Sequence, residues 1–419
     1  MQYEKMEIHF AFYTRRILCY ICPVKAKQSH AHRTKGKKHM EQKEQKKRNP
    51  GKWLVSLGFI LIGAVCGILF MKSLDGLETA GASGGEKILK ILVALVSMYA
   101  ALILQIIIHE AGHLVFGLLT GYRFISFRVY SFMWMKDNDR IRFKRMSIAG
   151  TGGQCLMAPP DLKDGKMPVQ LYNYGGAILN LIASAVFTGL YLLCPASSIF
   201  RPFLLLLVWI GVVFALVNGL PIRMGLANND GRNAWDLARN PEAVRAFWIT
   251  LKVNELSAQG IQVRDMPDEW FVVPDGEGMK NGITSSIGVF ACGRLLDQGK
   301  VDESDALMER LLSQENGIPG VLRKLLVCDR IYAELIRENR PEALEVLRTK
   351  DQVKFMKSMK KFPSVLRTEY VYALLAEKDP QKAQKILEAF EKMARTYPNP
   401  KEIEIERERM DAAREAAAL

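Results

Sequence analysis

A chain of 419 residues whose apolar side chains gather into long unbroken runs predicts an all-α integral membrane protein. The expected architecture is four transmembrane helices, a small cytoplasmic β-hairpin and a C-terminal helical-repeat domain. Three observations carry that expectation: the apolar runs, the basic clusters that flank some of them, and an amphipathic tail with regularly spaced turns. Bulk composition, 49% hydrophobic and 24% charged, would suit a soluble protein, so distribution decides the class.

A helix crosses a bilayer with about 20 residues at a rise of 1.5 Å each. Four segments qualify, from Trp53 to Met71, Ile88 to Leu119, Tyr174 to Cys194 and Phe203 to Ile222. Runs such as Phe203 to Val217 carry no charge and no polar face, which fits poorly with a helix on a soluble core. Lys43, Lys46, Lys47, Arg48 and Lys52 precede the first span. The connector 121–172 holds Arg123, Arg128, Lys136, Arg140, Arg142, Lys144 and Arg145, whereas those at 72–87 and 195–202 are nearly without excess positive charge. Basic connectors stay in the cytoplasm. Both termini and the 121–172 loop are therefore expected there, in a multi-pass protein of the cell membrane. The first span lacks a cleavage signature and reads as an uncleaved anchor. The net charge of +14 is explained by this flanking, and no groove-reading motif accompanies it, so nucleic acid is not an expected partner.

Residues 1–52 form a basic leader, and Met40 opens a second, cleaner start to it. Cys19 and Cys22 with His30 and His32 have the donor types for zinc, but no compact pattern surrounds them. Seven cysteines at irregular spacing give no disulfide framework.

The chemistry points to His109-Glu110-Ala-Gly-His113. Histidines four apart share one helix face, so both imidazoles can reach one tetrahedral zinc. Glu110 projects about 100° away, poorly placed as a ligand but able to take a proton from a water that zinc activates and pass it to a leaving amine. Gly112 leaves room for another helix or a substrate strand. Of six histidines, four precede residue 40, so the body holds only His109 and His113. Between Ile91 and Leu119 the three motif residues are the only acidic, basic or imidazole side chains, and such groups inside a membrane helix are functional by default. A third ligand must then be a carboxylate. From Leu171 to Asn229 there is no Asp or Glu, and the first is Asp230 in Asn228-Asn229-Asp230-Gly231, just past the fourth span. An ordinary Asp-Gly turn would also account for Asp230 taken alone.

Over residues 88–235 the chain resembles the site-2 protease family of intramembrane zinc metalloproteases. The resemblance rests on His109-Glu110-x-x-His113, on Asn218-Gly-Leu-Pro221 followed by Asp230-Gly231, and on Gly176-Ala-Ile-Leu-Asn180. It implies Glu110 as the catalytic acid–base, His109, His113 and Asp230 as metal ligands, and Zn²⁺ as the cofactor. It also implies that Asn180 holds the substrate backbone or a developing oxyanion; a helix–helix hydrogen bond is the plainer role for a buried amide. Asn229-Asp230-Gly231-Arg232 departs from the usual Leu-Asp-Gly-Gly. The implied activity is hydrolysis of peptide bonds in or near a transmembrane segment of a membrane-anchored protein or peptide precursor, as in regulated intramembrane proteolysis. A membrane-anchored peptidase for soluble peptides and a non-catalytic zinc scaffold are the competing expectations.

A transmembrane substrate must unwind before its carbonyls are open to attack, and an exposed strand edge would offset that cost. Residues 123–147 are expected to supply it as a hairpin, Phe124–Tyr130 against Arg140–Lys144 around Lys136–Asp139. Gly150–Cys155 then reads as a flexible link, and Cys155 as a thiol superfluous to an already complete ligand set. Residues 236–283 read as a mixed linker. From 284 to 419, turns at Gln298-Gly-Lys300, Glu338-Asn-Arg340 and Lys378-Asp-Pro380 recur about every forty residues, loosely resembling tetratricopeptide repeats. Stacked helical repeats present a concave surface, so a protein partner is expected there.

Overall fold

The computed structural model describes residues 84–137, 140–145, 152–198, 200–222, 228–397 and 399–418. The span expected at 53–71 and the Cys19, Cys22, His30 and His32 group lie outside these residues. The described chain is mostly helical, with one small antiparallel sheet. Among the described residues, three helices are long and apolar enough to cross a membrane: α1 (Gly84–Leu119), α2 (Gln170–Leu193) and α3 (Phe200–Gly219). Each corresponds to an apolar run, because a segment with no polar face can satisfy its backbone only internally when water is excluded.

The chain divides into two compact units. One contains Leu181–Val213 with the described residues up to Gln105, and its small core is Ala101, Leu206 and Leu207. Polar staples join its helices. Gln105 Nε2 donates to the Leu207 carbonyl at 2.7 Å, and Ser184 Oγ donates to the Val208 carbonyl at 3.2 Å. Gly211 makes room for both, since a Cβ there would lie 2.3 Å from Ser184 Oγ. Outward-facing Ile88, Leu92, Leu192 and Leu193 are largely exposed, an apolar surface that suits lipid.

The other unit contains Ile106–Asn180 and Phe214–Leu419. Its sheet has four strands, β1 (Arg123–Val129), β2 (Phe132–Asp137), β3 (Arg140–Arg145) and β4 (Gly153–Ala158), in the order β3-β2-β1-β4. This corrects the expected single hairpin. Phe132–Asp137 is itself a strand, and β1 turns into it at Tyr130, which adopts a positive φ of 50°. The period-2 signal was there: Met133 and Met135 are fully buried, while Phe132 and Trp134 face outward. The expected flexible link is corrected as well, since its end, with Cys155, forms β4 against β1.

Residues 236–283, read as linker, hold the last turn of α4 (Asp230–Arg239) and all of α5 (Pro241–Ala258), whose Phe247, Ile249, Leu251 and Val253 are buried with Met157 and Tyr172. Eight further helices follow: α6 (Ser286–Asp297), α7 (Val301–Ser313), α8 (Gly320–Arg337), α9 (Pro341–Leu347), α10 (Lys350–Ser358), α11 (Pro363–Val371), α12 (Pro380–Ala394) and α13 (Pro400–Ala418). Each of the three turns read from sequence separates two of these helices around a left-handed residue, Gly299, Asn339 or Lys378.

Candidate metal centre

The site begins with a helix crossing. Gly112 on α1 meets Gly175 and Gly176 on α2 so closely that a Cβ on Gly112 would lie 2.2 Å from the Gly175 carbonyl oxygen. A Cβ on Gly176 would strike the His109 ring at 2.4 Å. Small residues at both sides of a crossing let the backbones touch. The space at Gly112 is thus filled by another helix. This contact sets His109 against Asn180 and His113 against the backbone of Tyr172.

Asp230 arrives from the far end of α3. That helix stops at Gly219, two residues before Pro221, and Asp230 opens α4. Asn229 fastens the junction. Its Oδ1 caps α4 by accepting from Arg232 N at 2.9 Å, and its Nδ2 donates to the carbonyls of Val217 at 2.6 Å and Leu220 at 2.5 Å. Gly231 is required there, because a Cβ would lie 2.2 Å from the Gly219 carbonyl oxygen. Arg232 pairs with Asp236 at 2.8 Å along α4.

His109 Nε2, His113 Nε2 and Asp230 Oδ2 converge in a triangle with edges of 3.2, 3.2 and 3.5 Å. Two bonds of about 2.0–2.1 Å at the tetrahedral angle would hold their ligand atoms about 3.3–3.4 Å apart. The triangle therefore fits a tetrahedral ion with one position left open.

Protons support the same conclusion. His113 Nδ1 lies 2.8 Å from the Tyr172 carbonyl, which can only accept, and His109 Nδ1 lies 2.9 Å from Asn180 Oδ1. Each ring uses its proton on Nδ1, so two neutral imidazoles point Nε2 lone pairs at each other and at a carboxylate. A cation placed between them would meet all three donor atoms. Burial and the Glu110 carboxylate push the Cys155 thiol well above its usual value, and Cys155 is not among the three residues whose donor atoms converge.

Glu110 leaves the triangle and lies against β4, where a Cβ on Gly153 would be 2.6 Å from its Oε1. All five residues singled out from sequence, His109, Glu110, His113, Asn180 and Asp230, fall in one unit around this point. Asn180 touches His109, a contact that orients the ring.

Other participants were not legible. Arg128, counted with the basic loop, is fully buried and donates to the carbonyls of Tyr130 at 2.6 Å and Gly153 at 3.3 Å. It ties the end of β1 to the strand that touches Glu110. The Tyr172 carbonyl has no side-chain signature, and Asn229 read only as part of a turn. Comparison with protein-family models, with curated proteins and with solved structures finds no match.

Proposed function

We propose that this chain is a site-2-protease-like zinc endopeptidase, cutting membrane-anchored proteins or peptide precursors in or near a transmembrane segment. The observation that carries this is the His109, His113 and Asp230 triangle with Glu110 beside it, its two histidines and Glu110 lying on a helix long and apolar enough to cross a membrane. Two imidazoles and a carboxylate form a common ligand set for catalytic zinc, in contrast to the closed sets of structural sites. Zinc bound there would supply Lewis acidity toward a water and a peptide carbonyl.

The protein's own groups do the rest. Glu110 is free of the ligand triangle and can take a proton at its carboxylate and return it to the leaving amine. Asn180 and the Tyr172 carbonyl hold both rings in the tautomer that presents Nε2. A substrate segment opened from its helix needs partners for its amides. The strand at Gly153, held by Arg128 and lying on Glu110, is a nearer pairing edge than the hairpin expected from sequence. With the 121–172 loop in the cytoplasm, water enters from that side and the cut falls in the cytoplasmic third of the substrate helix, about 31 Å along α1 from Ile88.

Purified protein with a membrane-anchored reporter provides the test. Glu110→Gln is expected to keep its metal and lose cleavage by a factor of about 10²–10⁴ or more. Equal cleavage by Glu110→Gln would overturn the proposal. A wild type that cuts soluble peptides but no anchored reporter would remove the intramembrane part, and so would a cut mapped to the outer leaflet.

A further inference from the structure

One face of the sheet carries an apolar row outside the metal centre. Trp134 pairs with Phe143, Phe132 with Arg145 and Lys136 with Ile141, and cross-strand partners share a face. Phe132, Trp134, Ile141 and Phe143 therefore lie on one side, while Met133 and Met135 take the other and are fully buried. The four are not buried: Phe132 is 43% exposed, Trp134 38%, Ile141 58% and Phe143 53%. Three of them form a ring row, with centroids 5.7 Å apart for Trp134 and Phe143 and 6.0 Å for Phe132 and Phe143. Single apolar residues are scattered over any surface, but a contiguous row of large ones marks a surface that meets something.

The charge around this row is mostly of one sign. From Phe132 to Arg145 the chain carries five cationic side chains and two carboxylates. The edge strand β3 reads Arg140-Ile-Arg-Phe-Lys-Arg145, so apolar side chains alternate with cations. Ile141 and Phe143 then point to one side and Arg140 and Arg142 to the other. Arg145 closes the apolar row, its guanidinium 5.5 Å from the centre of the Phe132 ring. Position selects among partners. Only Thr120, Gly121 and Tyr122 lie between α1 and β1, so the sheet hangs from the end of a helix long enough to cross a membrane. An acidic soluble protein would match the cations but leave the reach of the bilayer unused. Aromatic rings beside arginines are the composition that settles at headgroup depth, where rings bury and guanidiniums reach phosphates.

We propose that the β2–β3 hairpin docks on anionic phospholipid. Phe132, Trp134, Ile141 and Phe143 seat below the headgroups, and Arg140 and Arg145 pair with lipid phosphates. The docked hairpin holds the sheet, including the strand that lies on Glu110, at a fixed depth. This inference needs α1 to cross a bilayer but does not rest on the peptidase reading.

The full chain in nanodiscs with brominated acyl chains tests this through Trp134, read as the difference in emission between the wild type and Trp134→Phe. Bromine quenches an indole that sits among the lipids. Trp134 is expected to be quenched in discs of phosphatidylcholine mixed with phosphatidylglycerol, and far less in phosphatidylcholine alone. Arg140→Gln and Arg145→Gln should each lower the docked-to-free ratio by about fivefold. Ile141→Ser should weaken docking as well. All three side chains are exposed, so melting temperatures at the wild-type value separate lost docking from lost folding. Unquenched Trp134 in the mixed discs overturns the proposal, and if aqueous acrylamide then reaches the indole, the face is left for a soluble partner. Equal quenching in the two lipid compositions also overturns it, because headgroup charge would then play no part.

Discussion

Each imidazole of the cluster uses one nitrogen to hold its own position and turns the other toward the cluster. His109 depends on a single side chain for this, the Asn180 carboxamide at 2.9 Å, whereas His113 depends on backbone. Asn180→Ala should therefore lower metal affinity by about 10- to 100-fold, measured by chelator competition, with the helices intact. No side-chain change at Tyr172 removes the corresponding contact. Asp297 in the tail shows a different use of burial. Burial raises its carboxyl to about 6, with Glu406 and Asp329 adding to the rise and Arg409 opposing it. Its ordinary value is 3.8, so the folded chain takes up a proton before the unfolded one as pH falls. Stability from this group therefore grows as pH drops from about 6 to about 4, and is lost as pH rises through that window. Thermal melts of Asp297→Asn should show that slope flattened.

The elements meet through glycine and asparagine. A methyl group at Gly112 has nowhere to go, because the opposing atom is the backbone oxygen of Gly175 and not a movable side chain. Gly112→Ala should force α1 and α2 apart, separate His109 from Asn180, and cost both metal and cleavage; retained metal at wild-type affinity would contradict this. Gly231→Ala acts at the other junction, where the contact is the Gly219 carbonyl. Asn229→Ala removes the cap of α4 and two bonds to the end of α3. The cap alone contributes about 1 kcal/mol, and losing the tether frees Asp230 to leave the triangle. Weakened metal binding exceeding the loss of thermal stability is the expected result.

The three candidate ligands come from helices far apart in the chain, His109 and His113 on α1 and Asp230 at the start of α4. An ion that binds them binds the folded state and not the unfolded one, so it stabilises by mass action. Zinc at 100 times its dissociation constant would add about 2.7 kcal/mol, seen as a higher melting temperature that a chelator reverses. In Asp230→Ala the zinc-dependent rise should largely disappear. A chelator shift of equal size in that variant would mean the stabilising ion sits elsewhere.

Much of this was present in the order of residues. Apolar runs announced α1, α2 and α3, since a helix without a polar face has one natural environment. The spacing of His109 and His113, and the absence of any acid between Leu171 and Asn229, singled out the three ligands. Gly299 and Asn339 marked two of the breaks in the tail because left-handed backbone favours few residue types. Short strands were harder. Phe132–Asp137 alternates over only six residues, and β4 was hidden behind its glycines. What no local pattern carried were the contacts made by atoms every residue possesses, such as the Tyr172 carbonyl on His113 and the Gly175 carbonyl under Gly112. A buried Arg128 likewise looks the same in sequence as an exposed one. Donor types and spacing are properties of the chain, but which nitrogen faces the cluster is a property of the packing around it.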